Sequence, residues 1–179
     1  IKMDGLACSL IYEDGVLQTA VTRGDGRVGE DVTSNVRTIE NVPMKLRAAP
    51  ERRAFLHGRT EVRGEIVMYK DDFAELNKQR EKEGKPAFMN PRNLAAGTIR
   101  QLDPKLVAER PLHFLAYDLI RDDPSEVPTY SEAYDIVRDL GISANKEASV
   151  FLSINEVMTF VDIWDTKRHD LRFNTDGLV

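Results

Sequence analysis

Apolar and β-branched residues gather in two early runs, Leu6 to Tyr12 and Val16 to Thr22, with Asp14-Gly15 between them. That pattern predicts two strands of a hairpin, because Asp-Gly accepts the positive φ angles of a tight turn. A glycine-rich stretch, Gly24 to Gly29, follows. Glu30 to Ile39 then predicts a short helix, its early acidic residues set against the positive end of the helix dipole. Glu61 to Met68 predicts a third strand and Leu112 to Ile120 an apolar fourth. Between these lie two helices. Asp71 or Asp72 caps the first, which ends at Gly84, and Asn90-Pro91 starts the second, which runs through about Gln101. Further on, Ser131 opens a helix ending near Gly141, and Ser153 with Glu156 forms a capping box for one reaching toward Lys167. A last strand begins near Leu171. Strands and helices mix without strict βαβ alternation, so the fold class is α+β, with mostly antiparallel sheet flanked by helices.

Composition narrows the class. The chain has 179 residues, 41% hydrophobic and 31% charged, which suits one globular domain with a real core. No apolar run approaches the ~18 residues of a membrane span, and no signal peptide precedes the first strand. Cys8 is the lone cysteine, so no internal disulfide forms, and no Cys/His cluster offers a zinc site. These features fit a cytoplasmic protein, and a monomer is the expected state. A net charge of −5 excludes a generally basic nucleic-acid binder. Any phosphate chemistry therefore depends on locally placed cations.

Three short motifs carry candidate chemistry. Lys2-Met3-Asp4-Gly5, a K-x-D-G tetrapeptide, sits immediately before the first predicted strand. Glu61-Val62-Arg63-Gly64-Glu65 lies on a strand about 60 residues later, and Asp176-Gly177-Leu178-Val179 on another at the chain end. In that order they resemble three motifs of the covalent nucleotidyltransferases, which comprise DNA ligases, RNA ligases and capping enzymes. The remaining wording is more specific. Thr22 to Gly26 reads T-R-G-D-G, Gly29 to Thr33 reads G-E-D-V-T, and Asn90-Pro91-Arg92-Asn93 leads through Ala95-Ala96-Gly97 to Arg100-Gln101-Leu102-Asp103-Pro104. Over essentially the whole chain this resembles the adenylation domain of bacterial NAD-dependent DNA ligases.

The resemblance implies a covalent nucleotidyltransferase fold, the ATP-grasp-like DNA ligase adenylation fold, over residues 1–179 and truncated at both ends. It implies Lys2 as the nucleophile that takes AMP from NAD. An amine forms a stable phosphoramidate, only its neutral form attacks, and nearby cations or burial favour that form. Asp4 is then an orienting or metal-related carboxylate. Asp176 assists Mg²⁺ or positions substrate, or else only shapes the turn at Gly177; hard cations take oxygen ligands. Arg23 matches an NAD-contacting arginine, Glu61 the glutamate that binds the adenosine ribose, and Tyr117 the aromatic that stacks on adenine. Phe114, three residues from Tyr117, belongs on the opposite strand face.

Arg92 and Arg100 are read as phosphate- or DNA-handling residues, since a guanidinium grips phosphate with a planar fork and keeps its charge. On one helix they lie roughly 80° apart at 100° per residue. Arg168 matches the arginine eight residues before the D-G motif; read without the resemblance, it is a cation near a helix C-terminus. The implied function is sealing of 3′-hydroxyl/5′-phosphate nicks in duplex DNA during replication and repair, with NAD as AMP donor and Mg²⁺ assisting. The segment alone is expected to be nearly inactive, because the region handling the nicotinamide half and the lysine motif after Val179 are expected outside it. Two other readings stand beside this one: an ATP-dependent ligase or capping enzyme, and a non-catalytic nucleotide- or DNA-binding module.

Other signals are set aside. Gly24 to Gly29 spells G-x-G-x-x-G but follows the second strand of a hairpin, not a βαβ unit. Arg23-Gly24-Asp25 spells an integrin tripeptide without an extracellular setting. His57, His113 and His169 share no ligand spacing, and none is assigned to a metal.

Overall fold

A computed structural model describes all 179 residues, Ile1 to Val179. Its strands are β1 (Lys2–Met3), β2 (Leu6–Glu13), β3 (Val16–Thr22), β4 (Arg59–Val67), β5 (His113–Arg121) and β6 (Thr175–Gly177). The helices are α1 (Thr33–Val36), α2 (Lys70–Lys82), α3 (Pro91–Ile99), α4 (Pro104–Ala108), α5 (Tyr130–Asp139) and α6 (Ile154–Lys167). Four strands form an antiparallel sheet in the order β3-β2-β4-β5, and β1 pairs with β6 in a separate two-stranded ribbon. The architecture is α+β with antiparallel sheets and flanking helices. No helix is long and apolar enough to cross a membrane.

Alternation along the strands divides the sheet into two faces. Leu10, Tyr12, Val62, Ile66, Phe114 and Ala116 turn to one side and join the main core with residues of α1, α3, α4 and α5. Ser9, Glu61, Arg63 and Glu65 occupy the intervening positions of β2 and β4, and Ser9 reaches across to Glu61 at 3.1 Å. A small second core of Met3, Val67 and Leu115 lies apart from the main one, with Ile1, Tyr69, Tyr117 and Phe173 packed around it. Met3 belongs to β1, so this second core ties the ribbon to the polar face.

Several boundaries differ from the sequence expectation. The segment from Glu30 to Ile39 is helical only over Thr33–Val36, and no acidic residue stands in its first turn. Asp31 instead turns its carboxylate onto the Thr33 N–H and hydroxyl, and Glu30 bonds back to Thr22; local side-chain bonds of this kind compete with helix. Neither Asp71 nor Asp72 caps α2. Tyr69 occupies that position without a side-chain bond, and both aspartates fall in the first turn, where they complement the dipole. Thr129, not Ser131, caps α5.

The cap at Asn90 stands: its side chain accepts the Asn93 N–H at 2.8 Å, with Pro91 at the first helical position. α3 ends at Ile99, however, so Arg100 is its C-cap residue and does not share a helix face with Arg92. In the Ser153–Glu156 pair, Ser153 accepts the Glu156 N–H at 3.3 Å, while the Glu156 carboxylate accepts from Leu152 at 3.0 Å. The last strand begins at Thr175 rather than Leu171, because a 3₁₀ turn fills Arg168–Asp170. Four elements lacked any sequence expectation: β1, α4, capped by Asp103 onto Lys105, and the 3₁₀ segments Pro50–Leu56 and Pro124–Glu126.

Candidate active site

Lys2 stands on β1, which exists because β6 folds back beside it. Lys2 pairs with Gly177 and Met3 with Thr175, leaving Asp176 as the extra residue of a bulge. Bulges re-aim side chains, and Asp176 turns its carboxylate onto the Lys2 ammonium in a short ion pair. The lysine is half exposed. The group it contacts is a carboxylate, and Arg92 is the cation that shares the cluster with it. The hydrogen bond from Lys2 is the main reason that the Asp176 carboxyl titrates below its ordinary range.

Asp4 lies in the turn from β1 to β2 and is drawn to Arg92, whose Nε is 3.4 Å from its Oδ1. That oxygen is buried and accepts no well-formed hydrogen bond; the arginine contact is an ion pair with poor hydrogen-bond geometry. Burial, and then the nearby Asp176 charge, raise the Asp4 pKa. Gly5 lets this turn lie against β4, since a Cβ there would fall 2.3 Å from the Ile66 carbonyl oxygen. The close approach brings Glu65 into the cluster. Burial raises the Glu65 pKa to about 7, against the opposing influence of the Gly5 N–H, Lys2 and Arg92.

Glu65 is the residue that sequence reasoning passed over. It closes the same E-V-R-G-E run that Glu61 opens. Two strand positions separate them, and only the β2–β4 register, with Ala7 opposite Glu65 and Ile11 opposite Glu61, shows which one reaches the lysine turn. Glu61 is otherwise engaged. It is 8% exposed and accepts from Ser9 at 3.1 Å, from Arg63 at 2.8 Å and, in a short contact, from Arg59. Burial works to raise its pKa, but the hydrogen bonds from Arg59 and Arg63 outweigh it and the net shift is downward.

Tyr117 is half-buried beside the small core of Met3, Val67 and Leu115, while Phe114 is fully buried in the main core, so the two do face opposite ways. Tyr117 is also a bulge residue: Gly64 pairs with Ala116 and Arg63 with Asp118, leaving it unpaired between them. Burial, followed by the charge of Glu65, raises its hydroxyl pKa. Arg23 is exposed, its backbone N–H bonds to the Ala7 carbonyl at 3.0 Å, and its guanidinium makes no ion pair.

Lys2, Asp4, Asp176, Arg92 and Glu65 thus come together, with Tyr117 and Arg23 flanking Glu65 on the sheet. Two arginines stand elsewhere. Arg100 pairs with Glu30 at 2.6 Å, and the Asn35 amide donates at 2.7 Å to each of the carbonyls of Ile99 and Gln101 on either side of it. Arg168 follows α6 and pairs with Asp165 at 3.2 Å, within its own segment. The glycine-rich loop is folded on itself: Asp25 accepts the N–H groups of Arg27 and Val28, and Gly26 donates to Arg23. A shallow, open concavity along α2 and the segment after it, lined by Asp71, Lys78, Glu81 and Lys85, contains none of these site residues.

The arrangement offers an amine with a carboxylate partner, a protonatable carboxyl beside it, an arginine and an aromatic shelf, all on an α+β scaffold of antiparallel sheet. A family model of the NAD-dependent DNA ligase adenylation domain matches residues 1–179. The chain belongs to that family. It is 43% identical over 179 residues to a DNA ligase of Syntrophomonas wolfei, 45% to one of Carboxydothermus hydrogenoformans and 44% to one of Listeria innocua. Each match covers 100% of this chain and 26% of the relative, so the chain spans about a quarter of the length of these ligases.

Proposed function

We propose that this chain is the adenylation core of an NAD-dependent DNA ligase of the covalent nucleotidyltransferase fold, and that Lys2 is its AMP-carrying nucleophile. The observation that carries the reading is the convergence of Lys2, Asp4, Asp176, Arg92 and Glu65 from four separate stretches of chain at the edge of an aromatic shelf. In the first step the neutral Lys2 Nζ attacks the α-phosphorus of NAD. A P–N bond forms, the P–O bond to nicotinamide mononucleotide breaks, and the amine sheds its remaining extra proton to solvent. At rest Asp176 pairs with the Lys2 ammonium; loss of a proton from that ammonium to solvent dissolves the ion pair and leaves the nitrogen lone pair available. AMP then passes to a 5′-phosphate of nicked DNA, and the 3′-hydroxyl displaces it to seal the nick.

The residues have matching roles in this reading. Tyr117 is the adenine platform, where stacking is worth ~1–3 kcal/mol in nucleic-acid binders. Glu65, rather than the occupied Glu61, is the carboxyl group available to the ribose. Arg92 stands where phosphate charge develops, and such transfers leave the protein mainly positioning and charge stabilisation to supply. Mg²⁺ fits this site as a shared ion. Asp4, with its unsatisfied buried oxygen, and Asp176 would hold it together with substrate oxygens, as Mg²⁺ is commonly bound through one or two carboxylates plus phosphates. No group of three side-chain ligands exists to form a cage. The ion would neutralise phosphate charge.

Charge distribution favours DNA as the partner despite the net −5. Residues 78–110 hold eight Lys/Arg against four Asp/Glu, leaving 17 against 26 elsewhere, from totals of 25 and 30. Arg92 and Arg100 lie in that basic stretch, as local neutralisation of phosphates requires. The deciding experiment incubates a full-length ligase carrying this segment with NAD or ATP labelled in the adenylate. Labelling of Lys2 from NAD alone supports the reading, labelling from ATP moves the enzyme to the other ligase class, and no labelling from either favours a binding module.

A further inference from the structure

Glu61 and its neighbours form a second built feature on the polar face, one that the adenylation chemistry leaves unused. The Glu61 side chain is only 11% exposed. One oxygen accepts from Arg63 Nε at 2.8 Å and from Ser9 Oγ at 3.1 Å, and the other accepts from Arg59. Removing a carboxylate from water is costly unless charge and hydrogen bonds compensate it, and here three donors on β2 and β4 do so. The beneficiary is Arg63. Its side chain remains 48% exposed, yet Nε is fixed, so the terminal N–H groups project from a set position toward the open face. A long side chain held in this way loses less conformational freedom when it meets a ligand.

The direction of that projection is defined by the sheet. Arg63 lies between Ser9 on β2 and Asp118 on β5, next to the bulge that carries Tyr117, and it is close enough to the Tyr117 hydroxyl for each to perturb the other's ionisation. The lysine cluster gathers around Glu65, two positions further along β4. A nucleotide with its phosphate at Lys2 and its base on Tyr117 therefore extends its base toward Arg63. A guanidinium only donates, and a purine base offers ring nitrogens that only accept.

We propose that Glu61 is a positioning residue that holds the Arg63 guanidinium beside the Tyr117 shelf, where Arg63 binds the acceptor edge of the nucleotide's base. This assignment rests on the nucleotide occupying the polar face as proposed above. Titration of the chain with AMP and, separately, with ribose 5-phosphate by calorimetry tests it. Arg63→Gln weakens AMP about tenfold, the size expected for a lost charge-assisted hydrogen bond, and leaves ribose 5-phosphate binding unchanged. Glu61→Gln weakens AMP in the same direction, and the double variant binds no worse than Arg63→Gln alone, because Glu61 acts through Arg63.

Thermal melting checks that each variant folds. If Glu61→Gln does not, Ser9→Ala loosens the same clamp with less disturbance, weakening AMP in the parent chain and having no effect in the Arg63→Gln background. Unchanged AMP binding by Arg63→Gln overturns the proposal. So does an equal loss of ribose 5-phosphate, which would make Arg63 a phosphate ligand, or additive losses in the double variant. A parent chain that binds neither ligand removes the nucleotide site itself, an outcome distinct from a parent that binds AMP and an Arg63 variant that binds it equally well.

Discussion

The two faces of the central sheet are written by the same strands one residue apart, and they differ in nearly every physical respect. On β2, Leu10 is fully buried in the main core while neighbouring Ser9 donates to a carboxylate. On β4, Val62 and Ile66 are fully buried, whereas Arg63 and Glu65 stand on the other side. The dry face is continuous over 28 buried residues, but the polar face has a core of only three. Cohesion of the domain therefore comes from one side, which leaves the other free to keep exposed cations, a half-buried carboxyl and an ion-paired lysine near one another. Groups so arranged contribute little to stability, and a functional site is where such an arrangement has a use.

Removing one aromatic from each face tests this division most severely. Phe114→Ala should destabilise the chain by about 3–5 kcal/mol, as for other buried aromatics. Tyr117→Ala, three residues on, should cost much less stability while weakening NAD use more than sealing of DNA that is already adenylated. Urea denaturation and the two activity assays read these out; equal destabilisation by both changes would erase the distinction. Gly64→Ala probes the junction between the faces. Its Cβ would lie 2.4 Å from Phe114 Cζ and 2.6 Å from the Leu115 carbonyl oxygen, so overpacking should cost about 1–3 kcal/mol in the same denaturation experiment.

A pH series addresses the polar face alone. Glu65 titrates near 7 in the folded chain because it is buried, against an ordinary unfolded value near 4.5. The folded chain therefore holds this proton more tightly, and its contribution to stability is full at low pH and falls as pH rises from about 4.5 through 7. Glu65→Gln, which cannot ionise, should flatten the fall in melting temperature between pH 5 and 8. An unaltered slope would mean that Glu65 is no more costly to ionise folded than unfolded. The smallest expected effect is at Asn90, whose cap on α3 lies outside both faces: Asn90→Ala should cost about 1 kcal/mol by thermal melting.

Local chemistry made much of the scaffold legible. Asp14 and Gly15 both have positive φ, 48° and 74°, as the hairpin reading of their dipeptide requires. Pro91 and the Asn90 cap likewise announced α3. What the sequence could not display depends on pairing between distant segments. β1 is two residues long and exists only through β6, more than 170 residues away. The bulges that aim Asp176 and Tyr117 are register shifts between strands and leave no local signature. The choice between Glu61 and Glu65 has the same origin, since both occupy one face of β4 and only the approach of the Gly5 turn distinguishes them. α1 came out short because Asp31 and Glu30 found side-chain and backbone partners that outcompeted a helix start.

Lys2 carries the central claim. Peptide mapping by mass spectrometry, after a full-length ligase bearing this segment has been incubated with NAD and Mg²⁺ and trapped before DNA is added, tests it directly. The predicted result is a single AMP adduct on the peptide containing Lys2, absent from Lys2→Ala and Lys2→Arg proteins that melt like the parent. An adduct on another lysine, such as Lys45 or Lys70, or adenylation that persists in both variants, would contradict it.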